Sequence, residues 1–331
     1  MKRQDYRAYA DAAIEALQEW YDPTTGLYTG VTWWHSAICL DAVIDYMTRT
    51  GERGLLGILT TTFEKNAGNN FLENSYDDMA WWALAWINAF DLTQEGHYLA
   101  MARTIFAAME QGWDGVCGGG VWWDFKRDYK NAIPNELFLL LAARLQQRAS
   151  DDAERAYYRA WAEREWNWFR ASGMINEDHL VNDGLRGCQN NGGTTWTYNQ
   201  GVILAALAEM CRITGARVYL HEAEAIADAT IQTLVTPDGI LKEPCEDAGC
   251  DSNGAQFKGI FLRSLFTLYQ VDEQPRYREF ILRNVTSLWE NNRNEHNQFG
   301  LHWAGPYDSA DASRQSSAAH AINAVLAFDD K

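Results

Sequence analysis

The amino-acid sequence predicts an all-α protein folded as a double-layered (α/α)6 barrel, and three observations support this class. Apolar residues recur at three- and four-residue spacing along nearly the whole chain. Segments that are apolar on almost every face alternate with segments that carry one charged face. Strand patterns are sparse. Because the alternation is continuous, we expect a single domain over residues 1–331.

The periodicity predicts twelve helices, and every second one is expected to lie inside the barrel. The expected helices lie near residues 4–20, 33–50, 53–66, 76–91, 95–111, 131–149, 151–171, 198–214, 217–235, 255–270, 275–291 and 313–328. The even-numbered segments are apolar all round, as at 80–86, and helices of this kind are buried. The odd-numbered segments carry charged faces, as at 151–155. Short extended pieces are expected at 28–32 and 121–123.

The loops before the inner helices are rich in Trp, Tyr, Asn, Asp, Lys and Gly. In such a barrel the inner helices run parallel, so the residues before all six starts meet at one rim. Polar and aromatic side chains would converge there on a concave surface, which is the usual place for a ligand site.

Composition and charge restrict the kinds of partner. The formal net charge is −17 and Lys/Arg clusters are absent, which excludes nucleic acid and disfavours anionic membranes. No apolar run approaches the roughly 18 residues of a membrane-spanning helix. The 15 Trp and 15 Tyr residues are an excess that can form platforms for sugar rings, and the alternative for more than half of them is plain core packing. The acidic charge fits a neutral substrate, and solubility alone would explain it equally well. We expect a monomeric protein.

Cysteine usage leaves the cellular compartment open. Four cysteines lie in Gly/Asn-rich loops, and a pair such as Cys245 and Cys250, or Cys117 and Cys188, could be bridged in an oxidising compartment. Met1 leads directly into a helical pattern without a signal peptide, so the chain as it stands is expected in the cytoplasm. Secretion would require an export signal that was removed or is non-standard. No zinc-site spacing occurs, and we expect no metal.

Asp77 and Asp78 differ in context from the other adjacent acidic pairs because they open a buried inner helix, directly before Met79. Burial of two like charges should raise the pKa of one carboxyl. One ionised nucleophile and one protonated acid are the two groups that glycoside hydrolysis needs. The alternative is that both carboxylates simply cap the N-terminus of the helix.

The pair, followed by Trp81 and Trp82, resembles the signature of glycoside hydrolase family 76, the endo-α-1,6-mannanases. Further matching motifs follow in order at 118–123, 129–132, 135–137, 196–201 and 257–260, and the resemblance runs from about residue 4 to 328. It implies an (α/α)6 barrel, no metal or organic cofactor, and an α-mannan poly- or oligosaccharide substrate. It also implies a retaining double displacement with Asp77 as nucleophile and Asp78 as general acid/base. Many members of that family are exported.

Aromatic and polar residues of the same motifs are the candidates for substrate binding. They are Trp33, Trp34, Trp122, Trp123, Tyr129, Lys130, Asn131, Trp196, Tyr198, Asn199, Gln200, Phe257 and Lys258. Trp122 and Trp123 follow a glycine run that lets a ligand approach, and we expect one indole to contact sugar and the other to be core. The alternative for residues 198–200 is helix capping. The two lysines either donate to hydroxyl groups or form ion pairs that hold the aspartates.

Three other functions compete with endo-acting hydrolysis. A transglycosidase would use the same aspartates to move mannan-type chains onto cell-wall polymers. A sugar epimerase would need catalytic histidines at the rim, whereas His35 and His320 are interpreted as core residues. A non-catalytic glycan-binding protein would not need the acidic pair. The intact pair disfavours the last two functions.

Overall fold

The computed structural model describes residues 5–328, and it contains the twelve α-helices that the periodicity predicts. They are α1 (Tyr6–Gln18), α2 (Trp33–Thr50), α3 (Leu56–Asn66), α4 (Tyr76–Thr93), α5 (Gly96–Glu110), α6 (Ala132–Gln146), α7 (Asp152–Ala171), α8 (Thr197–Thr214), α9 (Val218–Thr233), α10 (Ser252–Tyr269), α11 (Pro275–Asn291) and α12 (Ala312–Val325). Short 3-10 turns lie at Ala67–Asn69, Val116–Gly118 and Leu326–Phe328.

The even-numbered helices form a closed inner ring. α2 contacts α4, α4 contacts α6, and the sequence of contacts continues through α8, α10 and α12 back to α2. Outer helices pack against this ring: α5 on α4, α7 on α6, α9 on α8, and both α1 and α11 on α12. The predicted (α/α)6 architecture is therefore confirmed.

Burial separates the two layers as the sequence pattern indicates. In α6, 14 of 15 residues are buried, whereas in α9 only 5 of 16 are. Two glycines allow the inner helices to approach closely. A Cβ atom on Gly201 would lie 2.6 Å from the Phe261 backbone, and one on Gly259 would lie 2.4 Å from the backbone of Ser317. Inner-helix contacts therefore depend on small residues as well as on apolar area.

The few extended segments are shorter than expected and partly elsewhere. Tyr21–Asp22 pairs with Leu27–Tyr28, so the expected piece at 28–32 is a strand only at its first residue. The piece at 121–123 forms single bridging contacts instead of a named strand. A second hairpin, Leu185–Arg186 with Gln189–Asn190, was not predicted. Its turn contains Gly187 and Cys188 in left-handed conformation, a pattern too short to give a periodic signal.

The two ends of the barrel differ in chemistry. The C-terminal ends of the inner helices surround a cavity of about 280 Å³ in which five arginines pair with four acidic residues: Arg49, Arg144, Arg148, Arg212 and Arg263 with Asp41, Asp45, Asp91 and Glu209. Guanidinium groups are favourable there because the negative ends of parallel helix dipoles point into this space. The other end, where the inner helices begin, opens into the candidate site.

Two disulfide bonds hold the loops around that open end. Cys117 is bonded to Cys188, and Cys245 is bonded to Cys250. Cys39 and Cys211 are buried free thiols, as their helical positions predict. Among residues 5–328, no helix combines the length and the apolar character that crossing a bilayer would require.

Candidate active site

A cavity of about 470 Å³ lies at the end of the barrel where the inner helices begin. Its walls combine carboxyl, amide, hydroxyl and aromatic groups, which come from the starts of five inner helices and the loops before them. The lining residues are Thr32, Trp34, Ser75, Asp77, Asp78, Trp81, Trp123, Tyr129, Asn131, Asp183, Tyr198, Asn253 and Phe257. The predicted convergence of polar and aromatic residues at one rim is therefore observed.

Asp77 and Asp78 lie in the first turn of α4, where the positive end of the helix dipole favours carboxylates. Burial nevertheless raises the pKa of Asp77 to about 6. Burial, together with the negative charges of Asp77 and Glu73, raises the pKa of Asp78 to about 8. At neutral pH Asp77 is therefore mainly ionised and Asp78 mainly protonated. Unequal protonation of two neighbouring carboxyls is the state that acid-assisted nucleophilic chemistry requires.

The two oxygens of Asp77 have different surroundings. Nε1 of Trp123 donates a hydrogen bond to Oδ2 over 3.1 Å, and this contact lowers the pKa that burial has raised. Oδ1 is buried and has no hydrogen-bond partner among the described residues. The indole therefore orients the carboxylate while one oxygen remains available. Ser75 is the N-cap residue of α4 but makes no side-chain capping hydrogen bond, and backbone N–H groups of this first turn also lower the pKa of Asp77.

A third carboxyl group, Asp183, lines the cavity from the loop between α7 and α8. The Tyr129 hydroxyl donates to its Oδ2, and Nδ2 of Asn191 donates to the Tyr129 hydroxyl over 3.0 Å. Burial raises the pKa of Asp183, and the hydrogen bonds from Tyr129 and Trp196 partly offset this. Asp183 was not among the residues predicted from the sequence. In the sequence Asp183 is an acidic residue beside Gly184 in a loop without periodicity, and this pattern alone does not indicate a ligand site.

Aromatic rings form another part of the cavity lining. Tyr198 stacks on Phe257 with ring centres 3.8 Å apart, and Trp34 lies 5.9 Å from Trp81 in a nearly parallel orientation. The Trp34 indole donates to Oδ1 of Asn253 over 3.2 Å, which fixes the plane of the ring. Aromatic planes of fixed orientation are suited to the apolar faces of sugar rings.

Eight of the residues predicted from the sequence line the cavity: Trp34, Asp77, Asp78, Trp123, Tyr129, Asn131, Tyr198 and Phe257. Asn131 is buried, and its Oδ1 has no hydrogen-bond partner among the described residues. An amide oxygen in this situation is available to a hydroxyl group of a ligand.

Three predicted residues, Trp33, Trp122 and Lys130, do not line the cavity. Trp33 packs on Trp82 with ring centres 4.8 Å apart. The Trp122 indole donates to Asp114 over 2.7 Å. Nζ of Lys130 donates to the same carboxylate over 2.8 Å and is almost fully buried. Lys130 therefore forms an ion pair with Asp114, not with Asp77 or Asp78.

Four further predicted residues, Trp196, Asn199, Gln200 and Lys258, do not line the cavity either. The Gln200 side chain is buried and exchanges hydrogen bonds with the backbone of Val181. Lys258 is completely buried and pairs with Glu246. Trp196 packs edge-on against Phe257, and Asn199 is fully buried inside α8.

The glycine run at 118–120 has a packing role. A Cβ atom on Gly119 would lie 2.7 Å from the Trp168 ring, and one on Gly120 would lie 2.3 Å from it. Gly119 and Gly120 therefore accommodate an indole of the protein itself, and no residue of the run lines the cavity. Of the two neighbouring indoles, Trp123 is exposed in the cavity and Trp122 is buried. One exposed and one buried indole is the arrangement predicted from the sequence.

The histidines on the inner helices are buried. His35 contacts the Thr32 hydroxyl and the Ser252 carbonyl oxygen, and burial lowers its pKa to about 4. His320 contacts the carbonyl oxygen of Ile38. Within residues 5–328 no group of three His, Cys, Asp or Glu side chains is arranged to hold a metal ion.

A closed double ring of helices with a carboxyl pair and stacked aromatics at its open end defines a carbohydrate-active (α/α)6 enzyme. Comparison with known proteins makes the class specific. The profile of Glycosyl hydrolase family 76 matches residues 5–331. The chain belongs to this family of glycosidases.

Two named relatives with similar sequences are consistent with the family assignment. A relative from Schizosaccharomyces pombe is 27% identical over 267 residues, which are 73% of this chain and 59% of the relative. A mannan endo-1,6-alpha-mannosidase of Candida albicans is 27% identical over 264 residues, 70% of this chain and 57% of that protein. This chain thus matches about three-fifths of the length of these relatives.

The solved structures give the same fold. The GH76A alpha-1,6-mannanase of Salegentibacter superposes with a TM-score of 0.87 at 25% identity, covering 97% of this chain and 98% of that one. An inactive variant of that enzyme, with two consecutive aspartates replaced by asparagine, was solved with alpha-1,6-mannotriose. It has the same TM-score and identity and covers 98% of this chain and 100% of the variant.

Proposed function

We propose that the protein is an endo-acting hydrolase of α-1,6-linked mannan that works by a retaining double displacement. The observation that carries the proposal is the carboxyl pair in the cavity, with Asp77 mainly ionised and Asp78 mainly protonated at neutral pH. The aromatic wall formed by Tyr198 and Phe257 supports a sugar substrate. The names of the matched mannanases support α-1,6-mannan as the polymer.

The identity of the inactivated relative supports the assignment of the pair. In that enzyme two consecutive aspartates were replaced to give the inactive variant. Two Asp–Asp pairs fall within residues 5–328 of this chain. One lines the cavity, whereas the other lies at the start of α7, where Asp151 caps the helix.

The chemistry follows from the two protonation states. The ionised carboxylate of Asp77 attacks the anomeric carbon while the carboxyl of Asp78 gives its proton to the departing glycosidic oxygen. The resulting mannosyl ester on Asp77 is then attacked by water. Asp78, now ionised, takes a proton from that water, and both side chains return to their starting states. Asp183 and Asn131 are placed to accept hydrogen bonds from sugar hydroxyls.

The test is incubation with linear α-1,6-mannan, followed by sizing of the products and proton NMR of the first hemiacetal formed. Internal cleavage with an α-configured first product supports the proposal. A β-configured first product would mean inversion, which needs a gap of about 6.5–9.5 Å for water, and would refute Asp77 as nucleophile. Longer chains formed from two oligosaccharides, without net release of reducing ends, would identify a transglycosidase instead.

The two disulfide bonds lead us to propose that the protein works in an oxidising compartment. Disulfides persist outside the reducing cytosol. The bonds at Cys117–Cys188 and Cys245–Cys250 both lie in loops next to residues of the cavity wall. Counting free thiols in protein isolated from its native cells tests this: two thiols are expected, and six would refute it.

A further inference from the structure

Two exposed aromatic rings follow each other along the rim beside Asp77. The Trp123 side chain is 39% exposed and Phe125 is 52% exposed, while Asp124 between them is only 8% exposed. Asp124 forms a single bridge with Ser75, and Phe125 opens a turn that the N–H of Arg127 closes by donating to the Asp124 carbonyl over 3.2 Å. Trp123 lines the cavity, and Phe125 lies outside its lining at the other end of the short strip 123–125.

Hydrogen bonds of the backbone hold the strip in place. The N–H of Tyr76 donates to the Trp123 carbonyl over 2.9 Å, and the N–H of Phe125 donates to the Asn74 carbonyl over 3.0 Å. The N–H of Trp123 donates to the Tyr129 carbonyl over 2.8 Å, which closes the loop that carries Phe125. The strip is therefore attached to the first turn of α4, the turn that bears the catalytic pair.

The position of Phe125 has no explanation in the packing of the core. Among residues 5–328 its ring contacts one other aromatic ring, that of Tyr76, at 5.0 Å between centres. Single exposed apolar residues are ordinary, and Val116, Tyr157 and Val218 are exposed elsewhere. Phe125 differs because it lies two residues from Trp123, the cavity residue whose indole donates to Asp77.

We propose that Phe125 is a binding platform for a sugar unit of the substrate chain that lies outside the cavity, further from the cleaved bond than any unit on Trp123. The proposal rests on the proposed function and adds a substrate preference to it: chains long enough to reach Phe125 bind better than shorter ones. A sugar ring has an apolar face that matches an aromatic plane. A platform held by backbone hydrogen bonds loses little freedom when the sugar binds.

Exposed polar groups flank the ring. The side chains of Asn74, Lys126 and Asp128 are all exposed next to Phe125 in the two paired segments. They can exchange hydrogen bonds with hydroxyl groups at the edge of a stacked sugar. The combination of one aromatic plane with a polar rim suits a neutral, hydroxyl-rich ligand.

The experiment compares Phe125→Ala with the wild-type protein on linear α-1,6-manno-oligosaccharides of increasing length. We expect kcat/KM for the shortest cleaved oligosaccharide to be unchanged. For chains that reach the platform we expect a loss of roughly threefold to tenfold, carried by KM. Phe125→Tyr keeps an aromatic plane and should restore the wild-type length dependence.

Tyr157→Ala is the matched control, because it removes an exposed ring from α7 that does not line the cavity. It should leave kcat/KM unchanged at every length, and melting temperatures should show that both variants fold. Two results would overturn the platform while leaving the proposed function intact. One is no loss for Phe125→Ala at any length. The other is the same loss at every length, which would mean that the ring only supports Tyr76. A wild-type protein that cleaves no α-1,6-mannan would overturn both proposals.

Discussion

Replacement of Trp123 by phenylalanine removes one hydrogen-bond donor from Asp77 and keeps an aromatic ring at the rim. The indole donates to Oδ2 of Asp77 over 3.1 Å and lowers the pKa of that carboxyl. A hydrogen bond to a charged group contributes about 1.5–3 kcal/mol, and one pKa unit corresponds to about 1.4 kcal/mol. Because Trp123 is 39% exposed, solvent weakens the contact and the lower value applies. We therefore expect the pKa of Asp77 to rise by about one unit.

The assay is the pH dependence of kcat/KM on α-1,6-mannan. For the wild-type protein, activity should rise as Asp77 loses its proton near pH 6 and fall as Asp78 loses its proton near pH 8. In Trp123→Phe the acidic limb should move up by about one pH unit, which at pH 5 lowers kcat/KM about tenfold. The alkaline limb should stay in place, because Asp77 is already ionised where Asp78 titrates.

Trp122→Phe is the control for this prediction. The Trp122 indole donates to Asp114 over 2.7 Å and not to Asp77. Its removal should therefore leave the acidic and alkaline limbs of the kcat/KM profile at their wild-type pH values. An acidic limb that does not move in Trp123→Phe, or one that moves equally in Trp122→Phe, would refute the assigned role of the indole.

Three further expectations concern the aspartates and the disulfides. Asp77→Asn should lower kcat by several orders of magnitude on every substrate, whereas Asp78→Asn should still cleave aryl mannosides with good leaving groups and be accelerated by azide, as measured by release of the aryl group. Asp78→Asn should also raise the free energy of unfolding, measured in urea, by about 0.5–2 kcal/mol above pH 8. The raised pKa means that folded protein binds the Asp78 proton more tightly than unfolded protein does. The stabilisation by Asn should therefore shrink as the pH falls towards 4. Cys188→Ser should lower the free energy of unfolding by about 2 kcal/mol more than Cys250→Ser, because the lost bonds span sequence separations of 71 and 5 residues; equal losses in the two variants would contradict this.

Helix number, layer order and the location of the Asp77–Asp78 pair were all predictable, because each depends on local periodicity. An all-apolar segment such as α6 has no face to present to water and must lie inside. Since inner helices of such a barrel are parallel, the residues that open them share one rim. Asp77 and Asp78 open α4, so their place at the rim followed without any knowledge of side-chain contacts.

The lysines and glycines of the motifs were harder to interpret. Lys130 and Lys258 have the same chemistry whether they bind a hydroxyl group or a carboxylate. The choice depends on Asp114 and Glu246, which lie in loops and reach these lysines from 16 and 12 residues away. Likewise, Gly119 and Gly120 contact Trp168 from another element, and no local pattern indicates that contact.

The unequal acidity of the two aspartates and the presence of Asp183 in the cavity depend on the folded chain. Asp183 lies in a non-periodic loop and meets Tyr129 across 54 residues of sequence. The raised pKa values come from burial, which is a property of everything packed around a group and not of its neighbours in the chain. Amino-acid periodicity is local and so specifies the helices and their layers. The site is made by loops that meet only when the ring of helices closes.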